Sequence, residues 1–340
     1  MTTADVFNKF IIPATKERKI AYVDLIREDV VPDAWDEGFQ PAVGRSNYFA
    51  SHAWLYRFKD FVGAVTDWAG QNLRREQMNC SYFWVDIFTV NQHTPKADDF
   101  WDIAFAEGVK QVGHTVLVLQ PHQNPIPFRR IWCIWEIFST IKQGVALSVA
   151  MKVTEKNSFC RACRDDFNEV LSALQRIDAE DAEAAVPDDK ARILDAVVKT
   201  AGGMAEFNKT CRLAMISMLL IEMAREGRKN EVSQLLDLGV DPNGGACPAI
   251  HEASYDGNLE LVQLLVSHGG NPDQRDSAGW TPISCACEGG HLELVTWFVE
   301  KCKVDLHYRD WDGNRPLENA ERYGQLEVAG YLRKKTALAP

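Results

Sequence analysis

Glu136 is the one acid in the stretch RRIWCIWEIFSTIKQG (residues 129–144), where Ile131, Trp132, Cys133, Ile134, Trp135, Ile137 and Phe138 surround it. A carboxylate in apolar surroundings is costly unless it is paired or opens onto a polar space. Arg129, Arg130 or loop amides at a helix start would supply a pairing. A polar crevice would instead leave the carboxylate available for chemistry, and Ser51, His52, Asn91, Gln92, His93, Gln120 and His122 are the groups that would line it. Asn91 and Gln92 carry the donors and acceptors to hold ribose or phosphate, although their composition also suits an ordinary turn. Asp86, in WVDIF, needs a partner for its charge and would either orient the crevice or cap a neighbouring helix. Cys160 and Cys163 make a lone CxxC with no matching pair, so no metal site is expected. No glycine-rich phosphate loop, HExxH pair or nucleophile elbow occurs.

These residues need elements to bring them together. NYFAS, SYFWVDIFTV, HTVLVLQP and ALSVAM have strand character, and the β-branched run of the third predicts burial on both faces. Between them lie LYRFKDFVGAVTDWAGQNL, DDFWDIAFAEGVKQVG and the Glu136 segment, all at helical spacing. In the first, Phe58, Phe61, Val62, Val65, Trp68 and Ala69 are expected on one side. Strands alternating with helices predict a parallel α/β sheet. Ligands gather at the carboxyl ends of such strands, around the point where strand order reverses. Ser51 and His52 close the first strand, Asn91 and Gln92 follow the second, and the loop after the third leads into the Glu136 helix.

The boxes YFASHAW (48–54), FWVDIFTVNQH (83–93) and WCIWEI (132–137) resemble those of TIR domains, closest to the divergent variety of protists and algae. The resemblance covers about residues 45–212, including a trailing helical segment, and implies a flavodoxin-like fold that signals by self-association or nucleotide binding. Many TIR domains cleave NAD⁺ with a glutamate four residues after a tryptophan. Trp132 and Glu136 match that spacing, one helical turn apart. By this resemblance Glu136 is the candidate catalytic residue. Ser51, His52, Trp54, Asn91, Gln92 and Trp132 are candidates for the nucleotide crevice, with NAD⁺ as substrate and no cofactor required. Three departures stand beside it: the first strand is followed by Ala53-Trp54 with Arg57 as the nearest arginine, no loop that would close over substrate is identified, and no clear fifth strand follows ALSVAM.

The C-terminal part repeats. AIHEASYDGNLELVQLLVSHGGNPD from 249, PISCACEGGHLELVTWFVEKCKVDL from 282 and PLENAERYGQLEVAGYL from 316 start 33 and 34 residues apart, and a degenerate copy starts at 219. Gly227, Gly257, Gly290 and Gly324 recur in register. Each unit reads as two helices and a polar hairpin whose apolar face only stacked neighbours can bury. The pattern resembles ankyrin repeats over roughly 213–340, nearest at TPI and GHLELV. That resemblance implies a protein partner, and the tips DSAGW and DWDGN offer Trp280 and Trp311 as anchors; the alternative is that both pack against adjacent hairpins.

The expected organisation is an N-terminal extension (1–44), a TIR-like α/β domain (45–155), a helical bridge (156–212) and an all-α solenoid of about four repeats (213–340). The acidic run DAEDAEAAVPDDK in the bridge is expected to be a solvated connection. A net charge of −11 argues against nucleic acid as a partner. No secretory signal or apolar run of membrane-spanning length is visible, and nine cysteines without framework spacing suit a reducing, cytoplasmic setting. The function expected is an intracellular signalling or scaffold protein whose repeats bind a protein partner and whose sheet domain self-associates or binds nucleotide. The alternative is an NAD⁺ glycohydrolase acting through Glu136.

Overall fold

The computed structural model describes residues 1–19, 21–22, 45–73, 78, 81–86, 107–184, 187–244, 248–276 and 279–337. The chain forms two compact units, Met1–Arg212 and Leu213–Pro340.

In the first unit, β1 (Tyr48–Ser51), β2 (Phe83–Trp84), β3 (His114–Val118) and β4 (Ala146–Ala150) form a parallel sheet in the order β2-β1-β3-β4. Phe49 pairs with Thr115, and Thr115 in turn with Leu147. Strand β3 is the core strand: Thr115 through Val118 are fully buried, as its unbroken apolar run predicts. The second strand is shorter than its sequence suggests, and residues 87–90 lie outside the described residues. Asp86 therefore follows β2 rather than lying within a described strand.

Helix Phe58–Asn72 buries Phe61, Ala64, Trp68 and Ala69 against Ala50, Val116, Val118 and Ala150 of the sheet. Val62, expected on that face, is 43% exposed. One residue is a 100° step around a helix, so the stripe that starts at Phe61 continues through Ala64 and misses Val62. Helix Ile131–Lys142 is buried nearly all round. Its second apolar side is covered by Phe207, whose ring lies 4.6 Å from Phe138 and 6.4 Å from Trp135. That cover explains why its sequence shows almost no polar face.

The acidic run is less solvated than its composition suggests. Ala179 and Ala182 are buried while Glu180, Asp181 and Glu183 stay exposed. The Glu183 backbone donates to the Arg129 carbonyl at 2.8 Å and accepts from the Ile131 amide at 3.0 Å, fixing the start of the Glu136 helix. The N-terminal residues are tied down too: the Thr3 and Ala4 amides donate to the Tyr56 and Trp54 carbonyls.

The second unit stacks helix pairs, among them Ala249–Tyr255 with Leu259–Ser267, Pro282–Gly289 with Leu292–Trp297 (continued by a wider turn, Phe298–Cys302), and Pro316–Arg322 with Leu326–Ala337. Ala253, Ala286 and Ala320 are fully buried, which lets helices approach closely. The recurring glycines all take a positive φ. At Gly257 a side chain would be doubly excluded, because φ is +71° and an added Cβ would fall 2.3 Å from the His291 ring. Neighbouring units are joined at this turn by His291 with the Tyr255 carbonyl and by Gln325 donating to the Glu288 carbonyl, both at 2.8 Å. No described helix is long and apolar enough to cross a membrane.

Candidate functional site

Strand order reverses between β1 and β3, and the residues beyond their carboxyl ends form a polar cluster. Ser51, at the last position of β1, is 1% exposed and donates its hydroxyl to Glu136 Oε2 at 2.5 Å. Glu136 sits in the second turn of its helix and keeps part of its surface accessible. Among the described residues no guanidinium or ammonium pairs with it. Burial therefore dominates its acidity and pushes the carboxyl from 4.5 up to about 8. The Ser51 hydrogen bond pulls the other way, and the Asp86 charge adds to the rise.

Asp86 accepts the Trp54 indole N–H at 2.8 Å, and Phe7 packs on that indole at 4.8 Å. His52 is 6% exposed and stacks on Phe61 at 4.2 Å. Its Nε2 has no hydrogen-bond partner among the described residues, and burial lowers its affinity for a proton despite the nearby Asp86 charge. The cluster thus unites Ser51, His52, Trp54, Asp86 and Glu136. With its carboxyl raised to about 8, Glu136 favours the protonated form at neutral pH, and a cation placed against it would favour the ionised form.

The other predicted residues fall elsewhere. Trp132 donates its indole N–H to Asp189 at 3.1 Å and lies 5.4 Å from the Arg192 guanidinium, so these contacts go to helix Pro187–Thr200. Sharing a helix face with Glu136 does not bring its ring to Ser51, because a long side chain ends well away from its own Cα. Asn91 and Gln92 lie outside the described residues. Sequence reasoning overlooked Tyr56, whose hydroxyl donates to the Val118 carbonyl and accepts from the Gln120 amide, both at 3.1 Å, linking the ends of β1 and β3. A tyrosine shortly after a strand was its only sequence signal.

In the second unit the two predicted anchors differ. Trp280 is half-buried, edge-on to Tyr323 at 6.3 Å, and its amide donates to Asp276 at 2.8 Å. Trp311 is 76% exposed. It lies over Gly279, where an added Cβ would fall 1.5 Å from its ring. Asp310 holds this tip by accepting from the Asp312 and Asn314 amides.

A family model for ankyrin repeats, in three copies, matches residues 250–338. The chain is 35% identical over 107 residues to human protein phosphatase 1 regulatory subunit 27, covering 30% of this chain and 68% of that protein. It is 35% identical over 121 residues to human cyclin-dependent kinase 4 inhibitor B, 34% of this chain and 86% of the relative. The Notch-regulated ankyrin repeat-containing protein of Xenopus laevis is 32% identical over 109 residues, 29% of this chain and 94% of the relative. The chain belongs to the ankyrin-repeat proteins. Its helix pairs are an ankyrin solenoid, the architecture through which such proteins generally bind protein partners, and it is joined here to a unit with a small parallel sheet.

Proposed function

We propose that the chain is a signalling or scaffold protein in which the ankyrin repeats recruit a protein partner and a TIR-like sheet unit responds by self-association or nucleotide binding. The observation that carries the recruitment is Trp311: a large indole held on a fixed hairpin tip, resting on a glycine and open to solvent. Fixed aromatic groups of this kind dominate binding energy because little side-chain freedom is lost when they are covered. The names of the relatives, a phosphatase regulatory subunit and a kinase inhibitor, favour the same role. For the sheet unit, the support is the parallel order β2-β1-β3-β4, the order of the first four strands in a doubly wound domain, with its switch point at Ser51. Trp311→Ala is expected to lower capture of the partner from cell lysate by at least about tenfold, the usual scale of an interface hot spot. Unchanged capture would remove Trp311 as the anchor.

A second reading, NAD⁺ glycohydrolase, is favoured by the Glu136 carboxyl meeting a serine hydroxyl rather than a guanidinium. In that reaction the bond from ribose C1′ to the pyridinium nitrogen breaks, its electron pair neutralises nicotinamide, and water adds to C1′ with release of a proton. A fixed carboxylate stabilises the oxocarbenium-like cation between those events. Nicotinamide leaves without protonation, so no general acid is needed. The test is nicotinamide release from NAD⁺ by the purified chain over a range of protein concentrations. Glu136→Gln is expected to reduce it by about 100-fold, the scale of losing one preorganised electrostatic group. Release by the natural chain should increase with pH up to about 8, as the carboxyl ionises. No release at any concentration leaves the sheet unit as an interaction domain.

A further inference from the structure

A cavity opens beyond the carboxyl ends of β1, β3 and β4, and none of its lining residues belongs to the Glu136 cluster. Its volume is about 360 Å³, at the small end of ligand pockets, which run from roughly 300 to 1,000 Å³. Three chain segments converge on it: Arg57 just before helix Phe58–Asn72, Gln120 just after β3, and Lys152-Val153-Thr154-Glu155, which opens helix Val153–Asp165.

The polar groups of this cleft are unequally used. Lys152 is paired with Asp60 at 3.0 Å. Glu155 Oε1 accepts both the His122 amide at 2.7 Å and the His122 ring at 2.6 Å, while Oε2 has no partner among the described residues. Gln120 is 9% exposed, yet among the described residues its side-chain amide has no hydrogen-bond partner. Its amide atoms are not sealed from solvent, so a ligand could take the place of water on them. Arg57 and Thr154 are exposed, and neither the guanidinium nor the hydroxyl has a partner among the described residues. The lining carries two cations, Arg57 and Lys152, and two carboxylates, Asp60 and Glu155; with Lys152 paired to Asp60, Arg57 is the lining cation without a carboxylate partner among the described residues.

We propose that this cleft binds a small phosphate ester carrying hydroxyl groups, with the phosphate on Arg57 and Thr154 and the hydroxyls on Gln120 and Glu155 Oε2. A planar guanidinium matches phosphate geometry and can donate twice. Gln120 and Glu155 line the cleft and bring the amide and carboxylate groups that hydroxyls need. The volume suits a pentose phosphate. The site is independent of the NAD⁺ reading, because Ser51, Asp86 and Glu136 take no part in it.

The test is calorimetric titration of the full chain with ribose 5-phosphate, inorganic phosphate and ribose, each as a separate arm. Ribose 5-phosphate is expected to bind at least about tenfold tighter than inorganic phosphate, with ribose silent up to about 10 mM. Arg57→Gln should weaken ribose 5-phosphate by at least about tenfold, the loss of one charge-assisted contact, and Arg57→Lys should recover part of it. Gln120→Leu should weaken it by about fivefold. Glu136→Gln should leave the affinity unchanged, which keeps this result separate from the fate of the Glu136 chemistry. Circular dichroism confirms that each variant is folded. Equal binding of ribose and ribose 5-phosphate, no binding at about 10 mM, or unchanged affinity in Arg57→Gln would each overturn the assignment. Inorganic phosphate binding as tightly as the ester would also overturn it, since the hydroxyl contacts would then contribute nothing.

Discussion

At pH 9, the Glu136→Gln protein is expected to resist urea better than the natural chain by roughly 3 kcal/mol, a gap that closes almost entirely at pH 4. The cause is the raised carboxyl, at about 8 in the fold against an ordinary 4.5. Below pH 4.5 the group is protonated whether the chain is folded or not, so it contributes no difference. Between pH 4.5 and 8 the unfolded chain releases the proton while the folded one keeps it, and stability falls as pH rises. Above 8 both forms are ionised and the full penalty remains. Each tenfold weakening of the acid corresponds to about 1.4 kcal/mol, which sets an upper bound of about 5 kcal/mol. The solvent that reaches the side chain lowers this to roughly 3 kcal/mol. Glutamine has nearly the same shape, keeps an oxygen for the Ser51 hydroxyl and cannot ionise. Urea denaturation at both pH values checks the claim; a gap independent of pH would mean that the carboxyl is not desolvated.

The largest loss of stability is expected from Phe298→Ala, about 4 kcal/mol, the usual cost of emptying a buried phenylalanine site. Phe298 is completely buried in the second helix of its repeat, with the Trp297 ring 5.4 Å away. In a stacked array each repeat is stabilised largely by its neighbours, so a cavity in one interior repeat weakens the interfaces on both sides of it. Trp311→Ala removes a larger side chain from the same unit but should change stability by less than about 0.5 kcal/mol, because its ring is exposed. Denaturant midpoints of the two variants measure the contrast. Equal losses would show that Trp311 packs as core, which would also weaken its role as a partner anchor.

The repeat unit was legible because its information is local and redundant. A glycine at the same position in successive copies marks one turn, and its positive φ is a constraint that single residues express directly. Small residues at Ala253, Ala286 and Ala320 mark one helix face in the same way. Strand β3 was equally plain, since burial on both faces gives an uninterrupted apolar run, Val116 to Leu119, with no alternation of polar residues. Element boundaries were harder: the second strand extends over two described residues, and Val62 falls outside a stripe that a one-residue shift in phase would have included.

By itself, the sequence determined where the repeats lie and that the N-terminal part holds a parallel sheet, because periodicity and backbone preference act within a few residues. Tertiary structure alone decided that Glu136 meets Ser51, 85 positions away, rather than the adjacent Arg129 or Arg130. It also turned the Trp132 indole to Asp189 and placed Gln120 in the lining of an open cleft. Such choices depend on the directions of side chains from segments distant in sequence, and on which of them remove one another from water. Neither property is carried by residue type or by spacing along the chain.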